Sequence, residues 1–242
     1  MIVCYARGGG FGHLTRVRAY LHTVHPGAEA TILTEWPDRL PDAAEIVVDA
    51  FPAGLEGELT RAGLPPGVPV VHLARLLRWD AYRPLISQTP RFDRTWLVEP
   101  VSGPHLAFLR SVSARVEPLA LTDPPAGDVP VLEAGGWLVV HSGPPEETME
   151  LVAYARESAA AEGARPRITL VSPVAPAGLP PEVAHLAARP AWPLFAGAAR
   201  IISAAGFNTV RQAAPHRHKH RVLPFPRRFD DQFTRAARLR AG

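Results

Sequence analysis

Cysteine is almost missing from this chain: Cys4 is the only one in 242 residues, so no internal disulfide can form. Cys4 lies within the first apolar run, where a small buried thiol is the expected role. Lysine is equally scarce, with Lys219 the single example among 26 basic residues. The excess of arginine, alanine and proline reads as a coding bias more than a selected surface. No apolar run approaches the ~18 residues that a membrane-spanning helix needs. The opening MIVCYARGGG also has no basic region, apolar stretch and cleavage site of a secretory signal, so a cytoplasmic protein is expected. Zinc-finger spacing, a helix-turn-helix and an RRM signature are all missing, and no nucleic-acid partner is expected.

Apolar residues at 47% can build real cores, and charged residues at 20% without a long charge block argue against disorder. At ~100–200 residues per domain, this length fits two small domains. The net charge of +3 is modest. Basic residues nevertheless crowd between Arg211 and Arg240, which suits an acidic ligand or a membrane surface. Peripheral attachment at the inner face of a membrane therefore stays open beside a purely cytoplasmic location.

The first unit in the chain is a buried-strand pattern at 2–6 that breaks into Arg7-Gly8-Gly9-Gly10-Phe11-Gly12-His13. Leu14, Val17, Tyr20, Leu21 and Val24 then recur at three and four, predicting a helix that Pro26-Gly27 ends. Strand, glycine loop and helix form the opening of a Rossmann-like fold, in which glycines let the backbone approach a ligand. Runs at 30–34, 45–49, 68–73 and 95–98 read as further strands. Turn formers and prolines at 121–128 predict a linker, giving domains at 1–124 and 125–242. The second half repeats the plan: strands at 137–141, 168–172, 200–204 and 222–225, helices at 146–162 and from Asn208, and a last helix from near Phe229. Met149, Leu151, Val152 and Ala155 are the expected inner face of the first of these helices. Phe233, Ala236, Ala237 and Leu239 are the apolar positions of the last.

The most informative stretch is 201–212, IISAAGFNTVRQ, with 221–232, RVLPFPRRFDDQ. A strand ends in small residues, a glycine opens a turn, and Asn208-Thr209 stand where a helix begins, an arrangement suited to an anion. G-F-N-T-V-x-Q followed by P-F-P-x-x-F-D-D-Q-x-x-R-A resembles the nucleotide-sugar-binding half of GT-B glycosyltransferases, and MurG-like N-acetylglucosaminyltransferases in particular. Residues 49–59 also resemble the D-x-F-P-x-G-x-x-x-E-L element of predicted glycosyltransferases related to them.

The resemblance implies an α/β GT-B fold: two Rossmann-like lobes whose parallel sheets face a central cleft, compact and lacking the usual C-terminal crossover helices. The implied activity is metal-independent transfer of a hexose from a nucleotide diphosphate sugar, UDP-linked by expectation, to the hydroxyl of a lipid-linked or small-molecule acceptor. No cofactor is expected, since the nucleotide sugar is a substrate. Gly206, Phe207, Asn208 and Thr209 match the segment that touches donor phosphates, and Ser142 and Gly143 match the first loop of the donor lobe. Gln212 stands where the family has a ribose-binding glutamate; its amide accepts hydrogen bonds without a charge. Asp231 and Gln232 match the pair that reads sugar hydroxyls, and Arg235 stands where the family often has asparagine.

His13 is the candidate general base, because a neutral imidazole titrates near the working pH. With Gly10, Gly12 and Arg16 it matches the glycine loop of the family. Gly12-His13-Leu14-Thr15-Arg16 equally resembles the G-H-x-x-R element of nucleotide-sugar hydrolases and epimerases, in which water replaces the acceptor. A non-catalytic nucleotide-sugar-binding protein is the third reading. The run His216-Arg217-His218-Lys219-His220 reads as a basic loop, not a metal site, because its own arginine and lysine charges oppose a cation.

Overall fold

The structure is a computed structural model and describes residues 1–8, 11–128, 132 and 135–241. Two compact units divide the chain: unit 1 comprises Met1–Pro124 and Arg227–Asp231, and unit 2 comprises Pro125–Pro226 and Gln232–Gly242. Each is built on an all-parallel sheet interleaved with helices, which makes two Rossmann-like lobes.

Unit 1 holds β1 (Ile2–Tyr5), α1 (Gly12–Val24), β2 (Ala30–Leu33), β3 (Glu45–Asp49), β4 (Val70–Ala74), α2 (Trp79–Tyr82), β5 (Arg94–Leu97), α3 (Gly103–Val112) and β6 (Val116–Pro118). Its six strands lie in the order β2-β1-β3-β4-β5-β6. Every residue of β1 and β4 is buried, as expected of parallel strands covered on both faces, whereas the edge strand β2 is only half buried. The chain leaves β1 towards β2 on one side, and β3 joins β1 on the other. The carboxyl ends of β1 and β3 therefore form a topological switch point, where parallel α/β sheets open a ligand crevice.

Unit 2 holds β7 (Trp137–Val140), α4 (Pro145–Ala161), β8 (Ile168–Val171), β9 (Val183–Leu186), β10 (Arg200–Ala204), α5 (Phe207–Gln212), β11 (His220–Leu223) and α6 (Gln232–Ala241). The order β11-β10-β7-β8-β9 places a second switch point between β7 and β10. Pro145 opens α4 and Glu146 and Glu147 occupy its first turn, where negative charge is favourable. No helix among the described residues is long and apolar enough to cross a membrane.

Four local expectations change. The short edge strands β6 and β9 and helix α3 were not legible, because proline-rich flanks and partial burial blur their periodicity. The inner face of α4 uses Thr148 and Ala159 beside Leu151, Val152 and Ala155, while Met149 is half buried. The last helix starts at Gln232, not near Phe229, whose ring is buried in unit 1 beside Phe51 and Tyr82. Its buried face carries Gln232, Arg235 and Ala236, leaving Phe233 53% exposed.

Candidate functional site

At the switch point of unit 1, α1 begins one loop after β1 and brings His13 to the carboxyl end of β3. His13 Nδ1 lies 2.6 Å from Asp49 Oδ2. An ionised carboxylate only accepts, so Nδ1 carries the proton and Nε2 keeps its lone pair. Arg16, one helical turn after His13, donates from Nε to Asp49 Oδ1 at 2.5 Å and from NH2 to Oδ2 at 2.6 Å. This fork fixes the carboxylate in two dimensions. The Asp49 side chain is fully buried; burial alone would raise its pKa, but the charges of Arg16 and His13 outweigh that and hold the carboxyl well below the usual range.

His13 is pushed below its ordinary value mainly by burial. The Asp49 charge opposes this, and Arg16 and Arg75 add to it. The imidazole is thus neutral at neutral pH. Gly8 has no side chain because one would run into the His13 ring at Nε2. Backbone therefore approaches the basic nitrogen as closely as only glycine permits.

The turn after β3 is built to hold Asp49. Ala50 has φ 66°, a left-handed conformation that a non-glycine residue adopts at a cost of about 1–2 kcal/mol. His72 Nε2 meets the Ala50 carbonyl at 3.3 Å, and Phe51 packs 5.6 Å from the His13 ring, centroid to centroid. Further on, Tyr82 accepts from Ala53 N at 2.9 Å and donates to the Gly54 carbonyl at 2.8 Å. Glu58 accepts from Leu55 N, from Glu56 N and from the Tyr5 hydroxyl. Gly54, with φ 81°, leaves room for the Glu58 carboxylate. Asp49, Phe51, Gly54 and Glu58 each have a structural task within the element spanning 49–59.

In unit 2 the ends of β7 and β10 are neighbours, Ser203 pairing with Val140. Ser142 and Gly143 are exposed just beyond β7, and Gly206 follows β10. The two predicted loops therefore leave one sheet edge from adjacent strands. His141 Nε2 lies 3.0 Å from Glu147 Oε2, and a side chain at Gly143 would collide with that ring. Gly206 is the N-cap of α5, in extended conformation with no side-chain cap bond. Asn208 and Thr209 thus stand inside the first turn rather than capping it, both half buried, as is Gln212; Phe207 is buried in front of them.

No known family's model matches the chain, and no curated protein matches it.

The remaining predicted residues divide by location. Gly10 lies outside the described residues. Gly12 is exposed at the first position of α1. Arg16 is buried and engaged with Asp49, the carboxylate that also holds His13. Asp231 is half buried in unit 1, whereas Gln232 is buried in unit 2 and accepts from Phe225 N at 3.1 Å. Arg235 NH1 donates to the Ala205 carbonyl at 2.8 Å, which secures the turn before Gly206. Within the histidine-rich run, His220 turns inward to Ser203 at 2.8 Å. Arg217 donates to the carbonyls of His220 and Leu239, and Lys219 to that of Ala196. Sequence reasoning missed Asp49 as the partner of His13; its signal was the carboxylate that opens the 49–59 element. It also missed Arg75 and the His141–Glu147 pair, which no spacing rule marks.

Proposed function

We propose that this protein is a GT-B-type glycosyltransferase that moves a sugar from a nucleotide diphosphate sugar to an acceptor hydroxyl. The observation that carries the reading is the His13–Asp49 pair, a neutral imidazole whose Nδ1 is locked by a buried, Arg16-clamped carboxylate at a sheet switch point. A base of this kind suits a weakly acidic hydroxyl. The acceptor oxygen forms the new bond to the anomeric carbon as the bond from that carbon to the diphosphate oxygen breaks. The acceptor proton goes to His13 Nε2, and the nucleoside diphosphate leaves with the bonding electron pair. Asp49 stabilises the imidazolium that results.

The donor is assigned to the edge of unit 2 formed by Ser142, Gly143 and the segment 206–212, where small residues and a helix start suit a diphosphate. Gln232 and Arg235 act there by holding backbone, at Phe225 and Ala205 respectively. Transfer needs no oxidant, and the proton and electron balance closes within these groups.

The test combines binding and turnover. UDP-, GDP-, TDP- and CMP-sugars are screened by thermal shift, where saturation at 100 times Kd adds about 2.7 kcal/mol of stability. Release of nucleotide is then followed with and without offered acceptors. We expect one nucleotide class to stabilise the protein, and His13→Ala to keep that binding while turnover falls about 10²–10⁴-fold. Full turnover in His13→Ala, or no stabilisation by any nucleotide sugar, would overturn the reading. Release without an acceptor at the same rate would assign hydrolysis instead.

A further inference from the structure

Arg75 follows β4 directly and belongs to the same carboxyl edge as Asp49. It is 6% exposed, and its guanidinium carbon lies 5.5 Å from the Phe51 centroid. The His13 ring lies 5.6 Å from that same centroid, so one aromatic side chain flanks both the base and a nearly buried cation. The charge of Arg75 is among those that oppose protonation of His13. Proton transfer does not require it, because Arg16 already clamps Asp49.

One partner of Arg75 is a carboxylate from far along the chain: NH1 donates to Asp230 Oδ1. Asp230 is carried by Arg227–Asp231, a short segment of unit 1 laid against this edge. Leu77 and Asp230 form an antiparallel bridge, and Arg78 N donates to the Phe229 carbonyl at 2.7 Å. Phe229 closes on Tyr82 and Phe51, with centroids at 5.1 and 5.8 Å. The Asp230 side chain is 15% exposed, so the ion pair meets solvent.

A cation kept almost dry costs several kcal/mol unless a matching anion stays with it. Here one arm of an arginine that flanks the same aromatic ring as His13 is held by a carboxylate. We propose that Arg75 recognises a carboxylate on the acceptor whose hydroxyl His13 deprotonates, and that Asp230 holds its place until that acceptor binds. The acceptor class is then a hydroxyl compound bearing a carboxylate, such as an acidic sugar or a hydroxy acid. The word acceptor rests on the glycosyl-transfer reading, but binding at Arg75 does not depend on turnover.

Malonate serves as the carboxylate probe, titrated at constant ionic strength against chloride and followed through the arginine side-chain N–H resonances. Asp230→Asn should lower the half-saturating malonate concentration at least tenfold. Arg75→Gln should abolish the binding in the wild-type and Asp230→Asn backgrounds alike, and His13→Ala should retain it even where turnover is lost. If Asp230→Asn binds malonate no more tightly and is merely less stable, the pair is a structural clamp and the proposal fails. Malonate binding that survives Arg75→Gln overturns it equally. That comparison needs only the wild-type background, should Asp230→Asn not fold. Absence of glycosyl transfer, with malonate binding as described, would refute the reaction and leave the carboxylate site standing.

Discussion

Asp49 decides what His13 can do. Removing its charge by Asp49→Asn takes from the buried Arg16 the carboxylate that it clamps, so stability should fall by about 3–5 kcal/mol in urea unfolding. The same change takes away the main influence that raises the His13 pKa while leaving Arg16 and Arg75, which lower it. In the wild type, turnover should rise with pH through a value below 6.5 and be level at neutrality, since only neutral imidazole accepts the proton. In Asp49→Asn that rising limb should move to lower pH and the plateau should drop, because the base is weaker and its tautomer no longer fixed. A limb that moves upward would refute the pairing. His13 was readable as a candidate from the glycines around it. Its partner was not, because Asp49 lies 36 positions further along the chain.

At the level of elements, the two loops of unit 2 share an edge because β7 and β10 pair, although they lie far apart in sequence. The turn at 205–206 is held from behind by Arg235, and α5 starts in front of it. If the donor diphosphate binds at α5 as proposed, placing a carboxylate in the first turn by Thr209→Glu sets like charge against it. At about 4 Å and an effective dielectric near 20 this is worth about 4 kcal/mol, on the order of a thousandfold in affinity. Calorimetry with the nucleotide sugar that stabilises the protein should show at least a hundredfold weaker binding. Unchanged affinity would remove the diphosphate from α5. The strands β1, β3, β7 and β10 were legible because short, mainly apolar runs suit covered parallel strands. Strands β6 and β9 were not, since their proline-rich flanks and partial burial blur the pattern.

Across the whole molecule, buried neutral histidines set the response to acid. Burial pushes His72 down to about 4 and His105 to about 3 in unit 1, and His220 to about 4 in unit 2. Each takes up a proton on unfolding once the pH falls below the ordinary value of 6.5, so the folded state loses about 1.4 kcal/mol per pH unit for each. Stability is therefore full above neutrality and is lost as pH falls from 6.5 towards 4. Unit 1 carries two such groups with His13 shifted in the same direction, against His220 and the more exposed His216 in unit 2, so it should lose stability more steeply than unit 2. Hydrogen exchange at pH 7 and 4.5, corrected for intrinsic rates, should show peptides of unit 1 losing protection first. Equal losses, or earlier loss in unit 2, would contradict this.

The amino-acid sequence by itself determined the α/β class and the two-lobed plan, because alternating apolar runs, glycine turns and helical periodicity are local patterns. It also marked His13 and the 206–212 loop, since glycine clusters beside strand ends are local as well. Only the tertiary structure paired His13 with Asp49, set Arg75 against Asp230, and set Gln232 and Arg235 against backbone at Phe225 and Ala205. The physical reason is separation: Asp230 stands 155 residues from Arg75, and no periodicity encodes which buried charge will meet which across that distance.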